Sequence, residues 1–198
     1  MHPRLFPVLL ALQTAALAAP HDWPQWRGPD RSDVSRETGL LQQWPAGGPK
    51  KLWTFENAGN GYSGPAIVNG RLFTLGTRDG KEIVLALDAA TGKEVWAAPM
   101  DGILANDWGG GPRGTPTVDG DRVYALSGTG GLQCLALADG KVLWKASLKA
   151  LGGSVPKWGY TESVLVDGNL VLATRAAARA RSRRSIRPPE SSSGRART

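Results

Sequence analysis

A single cysteine, Cys134, stands in 198 residues, so no disulfide can close within the chain. It lies on an apolar stretch between Gln133 and Leu135 and reads as a small buried hydrophobe. Histidine is nearly as scarce: His2 and His21 both precede the body of the chain, which leaves histidine-ligated metals and Ser-His-Asp catalysis without support. Gly109-Gly110-Gly111 lacks the Lys-Ser or Lys-Thr of a phosphate loop and reads as a wide turn before a strand. The apolar run from Leu5 to Ala18 is broken by Gln13-Thr14 and is too short to span a bilayer. Behind the basic start His2-Pro3-Arg4, and ending in Ala16-Leu17-Ala18, it reads as a signal peptide over 1–18. No cysteine stands at the cleavage point to carry a lipid. The expected product is periplasmic or secreted, with no transmembrane anchor after cleavage.

An excess of charge of either sign is missing from most of the chain. Residues 175–198 hold eight of the 24 basic residues and one of the 17 acidic ones, so without this segment the charges balance at 16 each. The segment has one large aliphatic, Ile186, and no aromatic. Such a composition predicts a basic disordered tail. With no aromatics between the arginines, it does not predict a nucleic-acid partner.

What the chain does have is repetition. Leu-Ala-Leu-Asp-Ala-Ala-Thr-Gly-Lys-Glu-Val-Trp at 85–96 is echoed by Leu-Ala-Leu-Ala-Asp-Gly-Lys-Val-Leu-Trp at 135–144. Upstream, the stretches 61–70, 111–120 and 159–168 align, ending in Gly70, Gly120 and Gly168. These glycines are 50 and 48 residues apart, and Trp53, Trp96 and Trp144 are 43 and 48 apart. A period near 50 marks an array or propeller.

Each unit reads as four short strands. In the first these are Pro65 to Val68, Arg71 to Leu75, Ile83 to Leu87 and Glu94 to Ala97, with Asn69-Gly70 supplying a type I′ turn. The second unit repeats them at Thr117-Val118, Arg122 to Leu126, Leu132 to Leu137 and Val142 to Trp144, with Asp119-Gly120 as its first turn. A lone four-stranded sheet leaves both faces and both edges unsatisfied, and radial packing of such sheets answers this. The expected fold is an all-β propeller, present as two blades and the start of a third. The blades occupy 53–174, behind a leader over 19–52.

The phrase Ala86-x-Asp88-x-x-Thr91-Gly92-Lys93-x-x-Trp96 resembles the tryptophan-docking motif of the pyrroloquinoline quinone (PQQ) propeller repeat. The second copy matches at Ala136, Gly140, Lys141 and Trp144, with two residues missing before Asp139. Asp22-Trp23-Pro24-Gln25-Trp26-Arg27-Gly28-Pro29 resembles the start of exported, BamB-like propellers of bacteria. The resemblance implies that Trp96 and Trp144 tie neighbouring blades together. It also implies two functions: a non-catalytic scaffold for an unidentified protein or small molecule, or the opening portion of a PQQ-dependent alcohol dehydrogenase. The second would bring PQQ with calcium, held over an adjacent Cys-Cys pair beside carboxylate and amide ligands. This chain has no Cys-Cys, so the first is preferred and no catalytic, cofactor-binding or metal-binding residue is assigned.

Asp88, Asp101 and Asp107 read as turn residues whose side chains bond nearby backbone N–H groups. The candidate binding rim lies where the chain approaches each innermost strand. Alignment brings Tyr62, Pro112 and Tyr160 into one row, then Ser63, Arg113 and Thr161, then Gly64, Gly114 and Glu162, with Trp108 and Trp158 in the preceding loops. Loops at a ring face are where propellers grip ligands.

The tail begins where the third unit should enter its third strand, which suggests a shift of reading frame near the codon for Thr174 or Arg175. Read one base earlier with suitable codons, 181–194 encodes Thr-Ile-Ala-Ala-Leu-Asp-Pro-Ala-Thr-Gly-Lys-Leu-Val-Trp, a complete docking motif. Its tryptophan falls 26 residues after Gly168, as Trp96 falls 26 after Gly70.

Overall fold

The computed structural model describes residues 21–176 and 183–186. The expected signal peptide lies outside them, as does most of the tail. The described residues form eleven strands in three antiparallel sheets.

The first sheet is β1 (Ala66–Val68), β2 (Arg71–Arg78), β3 (Lys81–Asp88) and β4 (Glu94–Pro99), and the second is β5 (Thr117–Asp119), β6 (Arg122–Leu126), β7 (Gly131–Ala136) and β8 (Val142–Ser147). Each sheet is ordered as its strands occur in the chain, the meander of a propeller blade. The third holds β9 (Leu165–Asp167), β10 (Leu170–Thr174) and β11 (Arg183–Ile186), in the order β11-β10-β9. Four residues of the tail, a segment expected to lack structure, thus pair with β10, Thr174 opposite Arg183 and Val171 opposite Ile186. The pairing uses backbone groups that every residue carries, and the open edge of β10 offers a row of them.

The first turn has Asn69 and Gly70 both at positive φ, 52° and 71°, as a type I′ loop requires. The second and third differ. Asp119 pairs with Arg122 and Asp167 with Leu170, so the two-residue loops are Gly120-Asp121 and Gly168-Asn169, with glycine first. This one-residue slip corrects the alignment of the repeats. Arg71 pairs with Asp88 as Arg122 pairs with Ala136, so Ala136 stands in the place of Asp88, and Cys134 in the place of Ala86. Both Ala86 and Cys134 face a tryptophan, Trp96 and Trp144, beside a β-bulge at the same point of each sheet. No residue is missing from the docking turn. The second blade is shorter because β6 and β7, of 5 and 6 residues, replace β2 and β3, of 8 each.

The apolar residues divide by strand face. Phe73, Leu75, Ala86 and Trp96 from the first sheet meet Val118, Val123, Ala125 and Leu135 from the second. The opposite face of the second sheet, with Tyr124, Leu126, Leu132 and Cys134, packs against Val171 and Ala173 of the third and against Val164, which leads into it. Period-two alternation places one set toward each neighbour.

Tryptophans fasten these layers. Trp53 donates its indole N–H to the carbonyl of Ala89 (3.0 Å), and Trp96 donates to the carbonyl of Leu137 (3.1 Å), each reaching the next sheet's outer turn. Gly92 and Gly140 lie under the two rings at φ of 70° and 72°. In the first turn the Asp88 carboxylate accepts from the Thr91 N–H and hydroxyl (2.8 and 2.7 Å), and these bonds hold its pKa below the usual carboxylate value. In the second, Asp139 takes over by accepting from the Lys141 N–H (3.0 Å).

The leader is a strap across the innermost strands. Trp23 and Ile67 exchange backbone hydrogen bonds, the Pro24 carbonyl accepts from Val118 N–H (2.8 Å), and Arg31 donates to the carbonyl of Val164 (3.0 Å). One short segment therefore touches β1, β5 and the residue that leads into β9.

Candidate functional site

The approaches to the three innermost strands bond to one another. Tyr62 N–H donates to the Pro112 carbonyl (2.8 Å), Thr115 N–H to the Ser163 hydroxyl (2.8 Å), and the Thr117 hydroxyl to the Val164 carbonyl (2.7 Å). Beneath them lies an open cavity of about 550 Å³, lined by Trp26, Arg31, Arg113, Thr161, Glu162 and Ser163 among others. Glu162 is tied down, accepting from the Thr174 N–H. Burial lowers the Arg31 guanidinium below its usual value.

At the mouth, four of the expected rim residues form one cluster. The Tyr62 hydroxyl donates to the Trp108 carbonyl (2.8 Å), and the Arg113 guanidinium sits 4.9 Å from the Tyr62 ring centre while donating to the Gly109 carbonyl (2.6 Å). Gly109, at φ of 112°, lets the Tyr62 ring lie against its backbone. Trp108 and Trp158 stand 6.2 Å apart, tilted by 55°, and the Lys157 ammonium lies 5.5 Å from the Trp158 ring centre. Trp108 is 75% exposed, Tyr62 60% and Trp158 46%.

Asn106 holds the two loops together. Its side chain accepts from the Trp108 N–H (3.0 Å) and donates to the Lys157 carbonyl (2.9 Å). Sequence reasoning did not single out this residue. Its only signal is an Asx turn two residues before a tryptophan.

Three expected rim residues are placed differently. Tyr160 is buried, its ring against Gly130 and its hydroxyl donating to the Arg175 carbonyl (3.0 Å), so it is a joint between blades. Burial raises its phenol above the usual value. The Ser63 hydroxyl is shielded from solvent and has no partner among the described residues. Thr161 faces the cavity beneath the mouth.

Glu82, also passed over by sequence reasoning, is fully buried below this site. Its carboxylate accepts from Leu104 N–H (2.9 Å) and Gly128 N–H (2.8 Å), pinning the first sheet to the rim loop and to the second sheet's turn. Desolvation raises its pKa above 4.5, opposed by those two N–H groups and by the charge of Arg113.

Calcium-bound PQQ would call for an adjacent Cys-Cys pair, and the one cysteine here stands alone. Cys134 lies in the core between the second and third sheets, and burial pushes its thiol up to about 11. Among the described residues no three His, Cys, Asp or Glu side chains come together as metal ligands. Nor is any helix among them long and apolar enough to cross a membrane.

Comparison with known proteins yields two kinds of likeness. The family described as "Outer membrane protein assembly factor BamB" matches residues 40–187. No curated protein matches the sequence. Among solved structures, the quinohemoprotein alcohol dehydrogenase of Comamonas testosteroni superposes with a TM-score of 0.58 at 17% identity, over 79% of this chain and 23% of that one. A quinohemoprotein alcohol dehydrogenase of Pseudomonas putida HK5 gives 0.58 at 20% identity, over 77% and 22%. The chain spans under a quarter of these enzymes, and at such identity the likeness speaks to fold alone.

Proposed function

With the chain belonging to the family of the outer membrane protein assembly factor BamB, we propose that it is an exported, non-catalytic propeller that holds a partner protein at its rim. One observation carries this reading: two exposed tryptophans, Trp108 and Trp158, are held in fixed loops by Asn106, Tyr62 and Arg113. Indoles left in water by a rigid scaffold favour association, and Trp, Tyr and Arg are the side chains that dominate binding energy at protein interfaces. The family's name places a relative in assembly work, which suits a docking role better than turnover.

A quinoprotein reading draws on the dehydrogenase-like fold. A fold hosts many functions, and the donor groups here do not suit the cofactor.

The test places a photo-crosslinking residue at Asp107 or Lys157, and as a control at Asp79, in cells that export the protein. Discrete adducts are expected from the first two positions and not from the third. The double variant Trp108→Ala, Trp158→Ala removes exposed groups, so it should keep its melting temperature and lose the adducts at least tenfold. Equal adducts from all three positions, or adducts that survive the double variant, would reject the proposal.

A further inference from the structure

The stack of sheets carries an outer strand without a blade on one side and a blade without an outer strand on the other. Lys50-Lys51-Leu52-Trp53 repeats the phrase that leads through β4, Lys93-Glu94-Val95-Trp96, and the one that leads through β8, Lys141-Val142-Leu143-Trp144. Exposure alternates along it as a strand requires: Trp53 and Phe55 are half-buried, while Leu52 and Thr54 are exposed. Trp53 reaches Ala89 as Trp96 reaches Leu137, so 50–55 lies against the first sheet where the outer strand of a preceding blade belongs. Yet among the described residues no backbone hydrogen bond reaches 50–55, and Leu52 is 76% exposed, against 43% for Val95 and 46% for Leu143.

The first sheet is left half-covered on that side. Ile67, Leu72 and Thr74 on its inner strands are only half-buried, whereas Leu87 and Leu85, their neighbours on β3, are buried. The third sheet shows the reverse lack. It ends at β11, whose second edge has no partner among the described residues. Leu165 and Leu172, paired on the side facing away from the second sheet, are half-buried, as is Leu170. After Ile186 the sequence holds no large apolar residue, and Pro188-Pro189 has no N–H to give to a ladder.

We infer that the outer strand of the third blade is residues 50–55 of a second copy, and that two copies close head to tail into one ring. The chain cannot supply this strand to itself, because the first and third sheets pack on opposite faces of the second. Each copy brings three sheets, so two copies make a ring of six, within the range of about four to eight at which such blades close. A head-to-tail contact yields a discrete dimer only where the ring closes in this way.

The contact continues an interface already made twice. By strand pairing Leu172 stands in the place of Phe73 and Tyr124, and Leu72 in that of Val123 and Val171. Phe73 shares a core with Val123, and Tyr124 with Val171, so Leu172 of one copy meets Leu72 of the other. The register follows as well. Val171 pairs with Ile186 as Leu72 pairs with Leu87, which sets Ser185 in the place of Ala86, opposite Trp53 of the second copy, and Arg184 opposite its Thr54.

Sedimentation equilibrium of the full chain at micromolar concentration should return twice the mass of one chain. Thr54→Pro removes an N–H that a single copy leaves unpaired, so it should keep the tryptophan fluorescence of the folded chain and raise the dimer dissociation constant at least tenfold. Thr54→Cys and Arg184→Cys, on separate chains with different tags exported by the same cells, should form a disulfide joining one of each. Asp121→Cys in place of Arg184→Cys should not, and the buried Cys134 is common to both pairs. Cross-linking in the cells reads the contact even where the purified chain precipitates. The double variant Trp108→Ala, Trp158→Ala should keep the dimer mass, which separates this contact from the rim. A chain that sediments as one copy, a ladder of ever larger species, or a Thr54 and Arg184 pair that links no better than the Asp121 control overturns the inference.

Discussion

Gly140→Ala is expected to lower stability by about 3 kcal/mol, whereas Gly120→Ala in the same sheet should cost only about 1 kcal/mol. Both glycines have positive φ, 72° and 57°, so both substitutions carry the left-handed penalty. Around Gly120 nothing lies within 4 Å of an added Cβ, and the cost stops there. At Gly140 the methyl would meet the Trp96 ring at 2.6 Å. To relieve that, the indole must leave its place against Phe73 (5.9 Å between ring centres) or break its bond to the Leu137 carbonyl. Overpacking of this kind typically costs 1–3 kcal/mol beyond the backbone term. Urea melts of the two variants measure the difference, and equal losses would mean that the tryptophan does not bind the blades.

Glu82→Ala is the second large effect, a loss of about 3 kcal/mol with movement of the rim loop. The substitution leaves the N–H groups of Leu104 and Gly128 buried without an acceptor, and each such orphan costs about 1–3 kcal/mol. Part of this is offset because a buried carboxylate no longer has to be desolvated. Glu82→Gln keeps one acceptor and should lose about half as much. The two proteins also differ in their response to pH. Burial raises the folded pKa of Glu82 above 4.5, so between 4.5 and that raised value the native state holds a proton that the unfolded chain has released. Stability from this group is therefore fully present below 4.5 and declines as pH rises through the folded pKa. The margin of the native sequence over Glu82→Gln should shrink across that range. A margin that widens with pH would show that the two N–H bonds outweigh desolvation.

The sequence disclosed the blades because the residues that make them recur. Asn69-Gly70 announces its turn by steric necessity, and the alternation in β2 and β6 separates the two core faces without any knowledge of the neighbours. Strand pairing fixes the register of the repeats where their recurring residues do not. Gly120 and Gly168 match Gly70 in sequence, yet a glycine can take either place in a two-residue hairpin loop, and only strand pairing shows which. The same slip assigned Ala136 to the place of Ala86 and created an apparent gap in the docking turn.

At the rim, Tyr62 and Arg113 were legible from two aligned rows of the repeat, and Trp108 and Trp158 from the loops before them. Tyr160 aligned with Tyr62 by count and still turned inward, because Gly130 offers its ring a backbone surface that no local pattern reveals. Asn106 and Glu82 act over 51 and 46 residues of chain, to Lys157 and Gly128, and such long-range bonds leave no mark in a single sequence.

The proposal at stake is that this chain works through its rim rather than by holding a quinone. Titrating the purified protein with PQQ in the presence of calcium, while following indole fluorescence, cofactor absorbance and dye reduction with an alcohol, tests it most directly. The account predicts no saturable change at equimolar cofactor and no dye reduction. Stoichiometric binding that reduces the dye would contradict it.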